Sequence, residues 1–200
     1  MVLNVIAWCL ALFTVAIVLL SSALIALVAI AIAGYLTLGE HERTRNALRW
    51  LYRWPLFIPF IVTGQVMRTF LAKNGMLNHV LVGGGLIDPL AAQSLLDWRG
   101  IVIAFVWKQA AFVTLLLAGA MASIDVQHME AARNLGAPRW RVLTGIVLPQ
   151  VRGTLLVGVV LSFVTMLSVL SVPLMINPNS PTMMTVDVAY RISTHGDYAV

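Results

Sequence analysis

Residues 130–149, EAARNLGAPRWRVLTGIVLP, belong to the one long amphipathic run lying between two segments apolar enough to span a bilayer. Val126, Met129, Ala132 and Leu135 recur at helical spacing, with Gln127, Glu130, Arg133 and Asn134 on the other sides of the same turns. The spacing predicts a short helix with one apolar stripe. Gly136 follows where a left-handed residue closes a helix, and Pro138 stands where a first helical turn tolerates proline. A second short helix is expected there, with Trp140, Leu143 and Val147 as its apolar face and Arg139 and Arg141 turned outward. Pro149 interrupts that pattern. The stretch reads as helix, tight Gly-Ala-Pro turn, helix: a docking element, or a hairpin that only joins two spans.

Composition sets the solvent. A 200-residue chain with 60% hydrophobic and 10% charged residues cannot cover an ordinary globular domain with polar surface. Its mean hydropathy of +0.91 points to lipid. The formal charge of +5 does not imply nucleic acid, because no basic cluster is interleaved with aromatics and most arginines flank apolar segments. Cys9 is the sole cysteine, which excludes a disulfide framework and a cysteine metal site.

The chain reads as an all-α membrane protein, a single domain over residues 1–200. The first apolar run supports one span near Leu10 to Thr37, since no Gly or Pro precedes Gly34 to turn it back. It is too long for a signal peptide and lacks a basic leader. Residues 40–54, EHERTRNALRWLYRW, carry Arg43, Arg45, Arg49 and Arg53, and are cytoplasmic by the positive-inside rule. Trp50, Tyr52 and Trp54 fit an interfacial belt. A second span is expected over Pro55 to Leu71, broken by Pro55, Pro59 and Gly64. Residues 72–100 read as an outward connecting loop, with a partly embedded hairpin as the alternative. Ile101 to Ala122 and Thr154 to Ile176 are the third and fourth spans, separated by residues 123–153 with Arg133, Arg139, Arg141 and Arg152. That segment is cytoplasmic by the same rule, and NPNSPTMM, residues 177–184, is a turn-rich outward segment.

With the topology in place, residues 130–149 resemble the EAA loop of permease subunits of ATP-binding-cassette importers. The family pattern is Glu-Ala-Ala, three residues, Gly, nine residues, Ile-x-Leu-Pro. Glu130, Ala131, Ala132, Gly136, Ile146, Leu148 and Pro149 stand at its positions. The resemblance implies a type I importer permease fold, of whose six spans four are expected here, and a truncation at each end. It implies a multi-pass permease in the bacterial inner membrane, embedded in lipid and paired with an identical or homologous second permease. It further implies a cytoplasmic ATPase dimer docked on the loop by a helix-in-groove contact and a solute-binding protein outside. Within the family, the strings RTF and KNGMLN in residues 68–78 and LIDPL at 86–90 resemble permeases of the spermidine/putrescine, ferric iron and thiamine group.

The residues themselves carry no bond chemistry. No Asp or Glu lies inside an expected span, and His41, His79, His128 and His195 are scattered over loops, so there is no catalytic dyad and no metal cluster. The same absence counts against an ion-coupled secondary transporter. No phosphate-binding loop is present, so this chain binds no cofactor and ATP with Mg falls to a partner chain. Arg68 and Lys108 are the two charges within expected spans, read either as translocation-pathway residues or as side chains snorkelling to the outer interface. Gly119 and Gly158 are expected at helix contacts. The alternative to an importer permease is a membrane scaffold or assembly subunit without a path.

Overall fold

The computed structural model describes residues 2–88, 91, 93–177 and 183–195. Among these, every regular element is helical: α1 (Val2–Leu38), α2 (Glu42–Leu51), α3 (Trp54–Phe57), α4 (Phe60–Leu71), α5 (Met76–Gly83), α6 (Trp98–Ala122), α7 (Val126–Asn134), α8 (Arg139–Val142), a π-helical segment (Leu143–Val147), α9 (Leu148–Ser168), α10 (Ser171–Ile176) and α11 (Met184–His195). Among the described residues, three stretches are long and apolar enough to cross a membrane, Ala7–Leu38, Trp98–Ala122 and Arg139–Ser168. Glu42–Phe57 and Phe60–Gly83 add a fourth only if the broken pair is one span.

The chain divides into two compact units. The first comprises residues 1–21, 58–106 and 163–200, the second residues 22–57 and 107–162. In the first, α4 packs on α10, and Gly64 makes the approach possible: a Cβ there would lie 3.0 Å from Met175 Cβ and 3.3 Å from the Ser171 carbonyl. Gly64 therefore does not break the helix, as the sequence reading has it; its missing side chain is used for packing. The expected span over Pro55 to Leu71 is not one helix either, because α3 ends at Phe57 and α4 begins after Pro59. A proline at position 59 has no N–H for the Pro55 carbonyl, so the ladder stops.

Residues 72–100 are more than a connecting loop. They contain α5, and the buried Asn78 amide donates to the carbonyls of Ala72, Lys73 and Gln93 at 3.2, 2.9 and 2.9 Å. One side chain thereby satisfies carbonyls from both sides of the excursion, and Leu95 N–H closes it on the Leu71 carbonyl at 3.0 Å. The last expected span also differs. The helix that follows residues 143–147 passes through Pro149 and ends at Ser168, with α10 separate beyond it. Residues 178–182 of the expected outward turn lie outside the described residues.

In the second unit, Ala33 and Leu38 of α1, Leu117 and Met121 of α6, Ile124, Met129 of α7, Val142 of α8, Val147 and Val151 form one buried apolar cluster. Gly34 lets the connection after α8 close on α1, since a Cβ there would sit 2.8 Å from Leu143 Cδ2. Gly158 meets Val113 across a helix contact, as expected, but a Cβ on Gly119 would meet nothing within 4 Å. Gly119 borders open space instead.

Candidate coupling segment

The segment over residues 123–153 lies wholly within the second unit. Asp125 opens α7, its carboxylate accepting from Gln127 N–H at 2.9 Å, which satisfies one of the helix's free donors. At the other end Gly136 has φ +81°, its N–H donates to the Arg133 carbonyl at 2.9 Å, and Ala137 N–H donates to the Ala132 carbonyl at 3.1 Å. This paired closure is the Schellman motif, and it requires the left-handed residue that glycine supplies without steric cost. Pro138 follows as the N-cap of α8, its carbonyl accepting from Arg141 and Val142. The Gly-Ala-Pro turn is where the sequence puts it.

Pro149 does not end the second helix, and the reason is local. The five residues before α9 wind as a π-helix, in which Leu148 N–H reaches back to the Leu143 carbonyl. The wider turn offsets the ladder just where proline lacks a donor and its ring would crowd the carbonyl four residues earlier.

The apolar faces are shifted from those the periodicity predicts. Met129 is buried and Ala132 packs against the same cluster, but Leu135 is 89% exposed. In the second helix Val142 and Val147 are buried and Leu143 half-buried, whereas Trp140 is 63% exposed under the Arg141 guanidinium, 5.4 Å from its ring centroid. The Schellman turn explains both: it ends the α7 stripe before Leu135 and rotates the start of α8. Of the motif residues, Ala132, Ile146 and Leu148 pack against the cluster, while Glu130, Ala131 and Pro149 are exposed. Gln127, Glu130, Ala131 and Asn134 make an exposed stripe along α7 that runs into Leu135.

Glu40, between α1 and α2, is a residue that sequence reasoning passed over. It accepts from Arg133 of α7 at 3.2 Å and from Arg139 of α8 at closer range, tying both helices to the end of α1. A hydrogen bond from Arg139, and then its charge, holds the Glu40 carboxyl below the usual carboxylate range. A depressed carboxylate contributes its tie above the ordinary carboxylate pKa and loses it as pH falls through the lowered value. Because the pair is solvent-exposed, Glu40→Gln should deprotect the amides of residues 133–141 by no more than a few-fold at neutral pH. Hydrogen exchange on both proteins checks this: the difference should vanish in acid below the carboxylate range, and persistence there would mean that the charge is not what holds the helices.

Arg68 is exposed on α4, in the first unit. Lys108, in the second, is only 8% exposed and its ammonium donates to the carbonyls of Pro55 and Leu56, the latter at 3.4 Å. It therefore does not snorkel.

These features define an all-helical membrane protein with a folded helix-turn-helix excursion between two of its long apolar helices. Residues 25–194 match the family described as the binding-protein-dependent transport system inner membrane component, and the chain belongs to that family. It is 30% identical over 118 residues to the molybdenum transport system permease protein ModB of Escherichia coli, covering 54% of this chain and 45% of that protein. It is 34% identical over 118 residues to the sulfate permease CysW of the same species, covering 59% and 38%. With the trehalose/maltose permease MalF of Thermococcus litoralis it shares 27% identity over 177 residues, covering 82% and 58%. The chain thus spans about half the length of the curated relatives it matches. A crystal structure of a bacterial ABC transporter involved in importing the acidic polysaccharide alginate superposes with TM-score 0.69 at 25% identity, over 95% of this chain and 69% of that one.

Proposed function

We propose that the chain is a permease subunit of an ATP-binding-cassette importer of the bacterial inner membrane, and that residues 123–153 couple it to a separate cytoplasmic ATPase. The observation that carries the coupling role is the exposed α7 stripe of Gln127, Glu130, Ala131 and Asn134, closed by Gly136 and held from behind by Met129, Ala132 and Glu40. A helix with a fixed back and an unpartnered front suits insertion into a groove. ATP-driven closure of two ATPases brings two such segments together and favours the outward-facing permease pair, and hydrolysis returns it. An extracytoplasmic binding protein delivers the solute. Of the two charges read as pathway candidates, Arg68 and Lys108, we propose Arg68 for the translocation path and a structural role for Lys108, whose ammonium donates to the Pro55 and Leu56 carbonyls.

Reconstituting the permease pair with its ATPases in vesicles tests the reading. Binding-protein-stimulated ATP hydrolysis with solute uptake is expected; assembly and hydrolysis indifferent to any binding protein would favour the scaffold alternative. For the solute, residues 68–78 and 86–90 support the spermidine/putrescine, ferric iron and thiamine group, whereas curated relatives are named for molybdenum and sulfate. Uptake of an oxyanion would decide against the former.

Orientation gives a separate expectation. In a protein with Cys9 replaced, single cysteines at Arg45 and Arg141 should resist an impermeant thiol reagent added to intact cells, while one at Asn179, outside the described residues, should react. Labelling of Arg45→Cys or Arg141→Cys from outside would reverse the topology.

A further inference from the structure

Arg45 and Arg49 of α2, with Arg53 just beyond it, line a cavity of about 410 Å³ within the second unit. The cavity is also lined by Leu36 and Thr37 of α1 and by Leu115, Ala118, Gly119 and Ala122 of α6. Among the described residues no carboxylate pairs with any of the three guanidinium groups, and Glu40 is taken by Arg133 and Arg139. Arg45 Nε is shielded from solvent and makes no hydrogen bond. Arg53 donates only a long 3.4 Å contact to the Tyr52 hydroxyl. Three guanidinium groups without a carboxylate partner around one half-open cavity suit an anion, and the planar forks of arginine match phosphate oxygens.

The apolar part of the lining narrows the choice. A small hydrated anion gains nothing from Leu36 and Leu115, but a molecule with a phosphate at one end and a hydrocarbon chain at the other uses both the arginines and the apolar lining. The same segment exposes Trp50, Leu51 and Trp54, the two indoles stacked edge to face at 4.3 Å, as in a segment lying at a membrane surface. We infer that this cavity holds the phosphate headgroup of an anionic phospholipid, with an acyl chain along Leu36 and Leu115. The inference rests on the family's membrane setting and not on coupling to an ATPase.

Native mass spectrometry of the delipidated full chain in detergent, titrated with phosphatidylglycerol or with phosphatidylethanolamine of the same chains, provides the test. Phosphatidylglycerol should bind at least about tenfold more tightly. The combined Arg45→Gln, Arg49→Gln, Arg53→Gln variant should bind it no better than the zwitterionic lipid. Gly119→Leu changes no charge and fills space in which a Cβ meets no atom, so it should weaken binding similarly while leaving the helix intact. Removing three arginines elsewhere, with Arg43→Gln, Arg99→Gln, Arg152→Gln, should leave binding unchanged. Equal loss in that control would mean generic surface charge and overturn the site, as would an unaffected Gly119→Leu. Inorganic phosphate binding as tightly as the lipid would assign the cavity to the free anion and overturn the lipid. If the triple glutamine variant fails to elute as a folded species, Gly119→Leu and the control still decide.

Discussion

Gly136→Val should sever transport from ATP hydrolysis while leaving the membrane helices folded. At φ +81° the position lies in the left-handed region, and a Cβ added there would meet no atom within 4 Å, so the whole penalty is conformational. For a β-branched residue it is about 1–2 kcal/mol or more. The chain escapes that penalty by opening the turn, which discards the bonds from Gly136 and Ala137 to the Arg133 and Ala132 carbonyls and turns the α7 stripe away from its partner. A cost of this size lowers the docking-competent population roughly 5- to 30-fold. The apolar cluster behind α7 contains no atom of Gly136, so insertion and detergent stability should match the parent. The series should be graded, with Gly136→Asn nearest to the parent because asparagine tolerates the left-handed region, Gly136→Ala between, and Gly136→Val lowest. Glu130→Arg, which reverses charge on the exposed stripe without touching the turn, should weaken docking by a different route. Co-purification of the ATPase and solute uptake on one preparation read all four. Parental values for Gly136→Val would remove residues 123–153 from the coupling role.

The turn was legible because its chemistry is local: a left-handed glycine, a proline two residues on and a polar stripe all sit within a dozen residues. The helices were legible for a similar reason, since long apolar runs admit no other lipid-compatible structure than helix or closed barrel. The features that escaped depend on distance in sequence. Leu135 and Trp140 obey the helical period, but a Schellman turn between them rotates the second helix relative to the first, and periodicity alone carries no angle. Glu40 lies 93 residues from Arg133, so nothing in its neighbourhood marks it as the common anchor of Arg133 and Arg139. Gly64 looked like a breaker because its partner, Met175, stands over a hundred positions away. Pro149 looked like a stop because the π-helical segment that accommodates it has no composition of its own. Fold class followed from composition and local pattern; the faces of the candidate site followed from contacts that only the folded chain brings together.

Lys108→Met is expected to destabilise the protein, with the loss traceable to a carbonyl and not to a missing pathway charge. Proline at position 59 offers no N–H to the Pro55 carbonyl, and the buried Lys108 ammonium supplies donors there and to Leu56. Methionine fills similar space but donates nothing, so a carbonyl formerly held by a charged donor is left buried and unpaired. That costs about 1–3 kcal/mol. For a chain of this size the loss corresponds to about 2–12 °C in detergent thermal stability. Removing the desolvated ammonium returns part of the energy, which places the expectation at the lower end of that range. Lys108→Arg keeps donors and should lose less. The decisive comparison is with Pro59→Ala, which restores an N–H at position 59. If the missing donor is the cause, Lys108→Met should cost less in that background, by about 1 kcal/mol of coupling. A pathway lysine behaves otherwise: Lys108→Met would then leave thermal stability unchanged, abolish uptake of an anionic solute, and combine additively with Pro59→Ala. Thermal unfolding of the four proteins, with uptake on the same preparations, separates a cation that holds a broken helix from one that meets the solute.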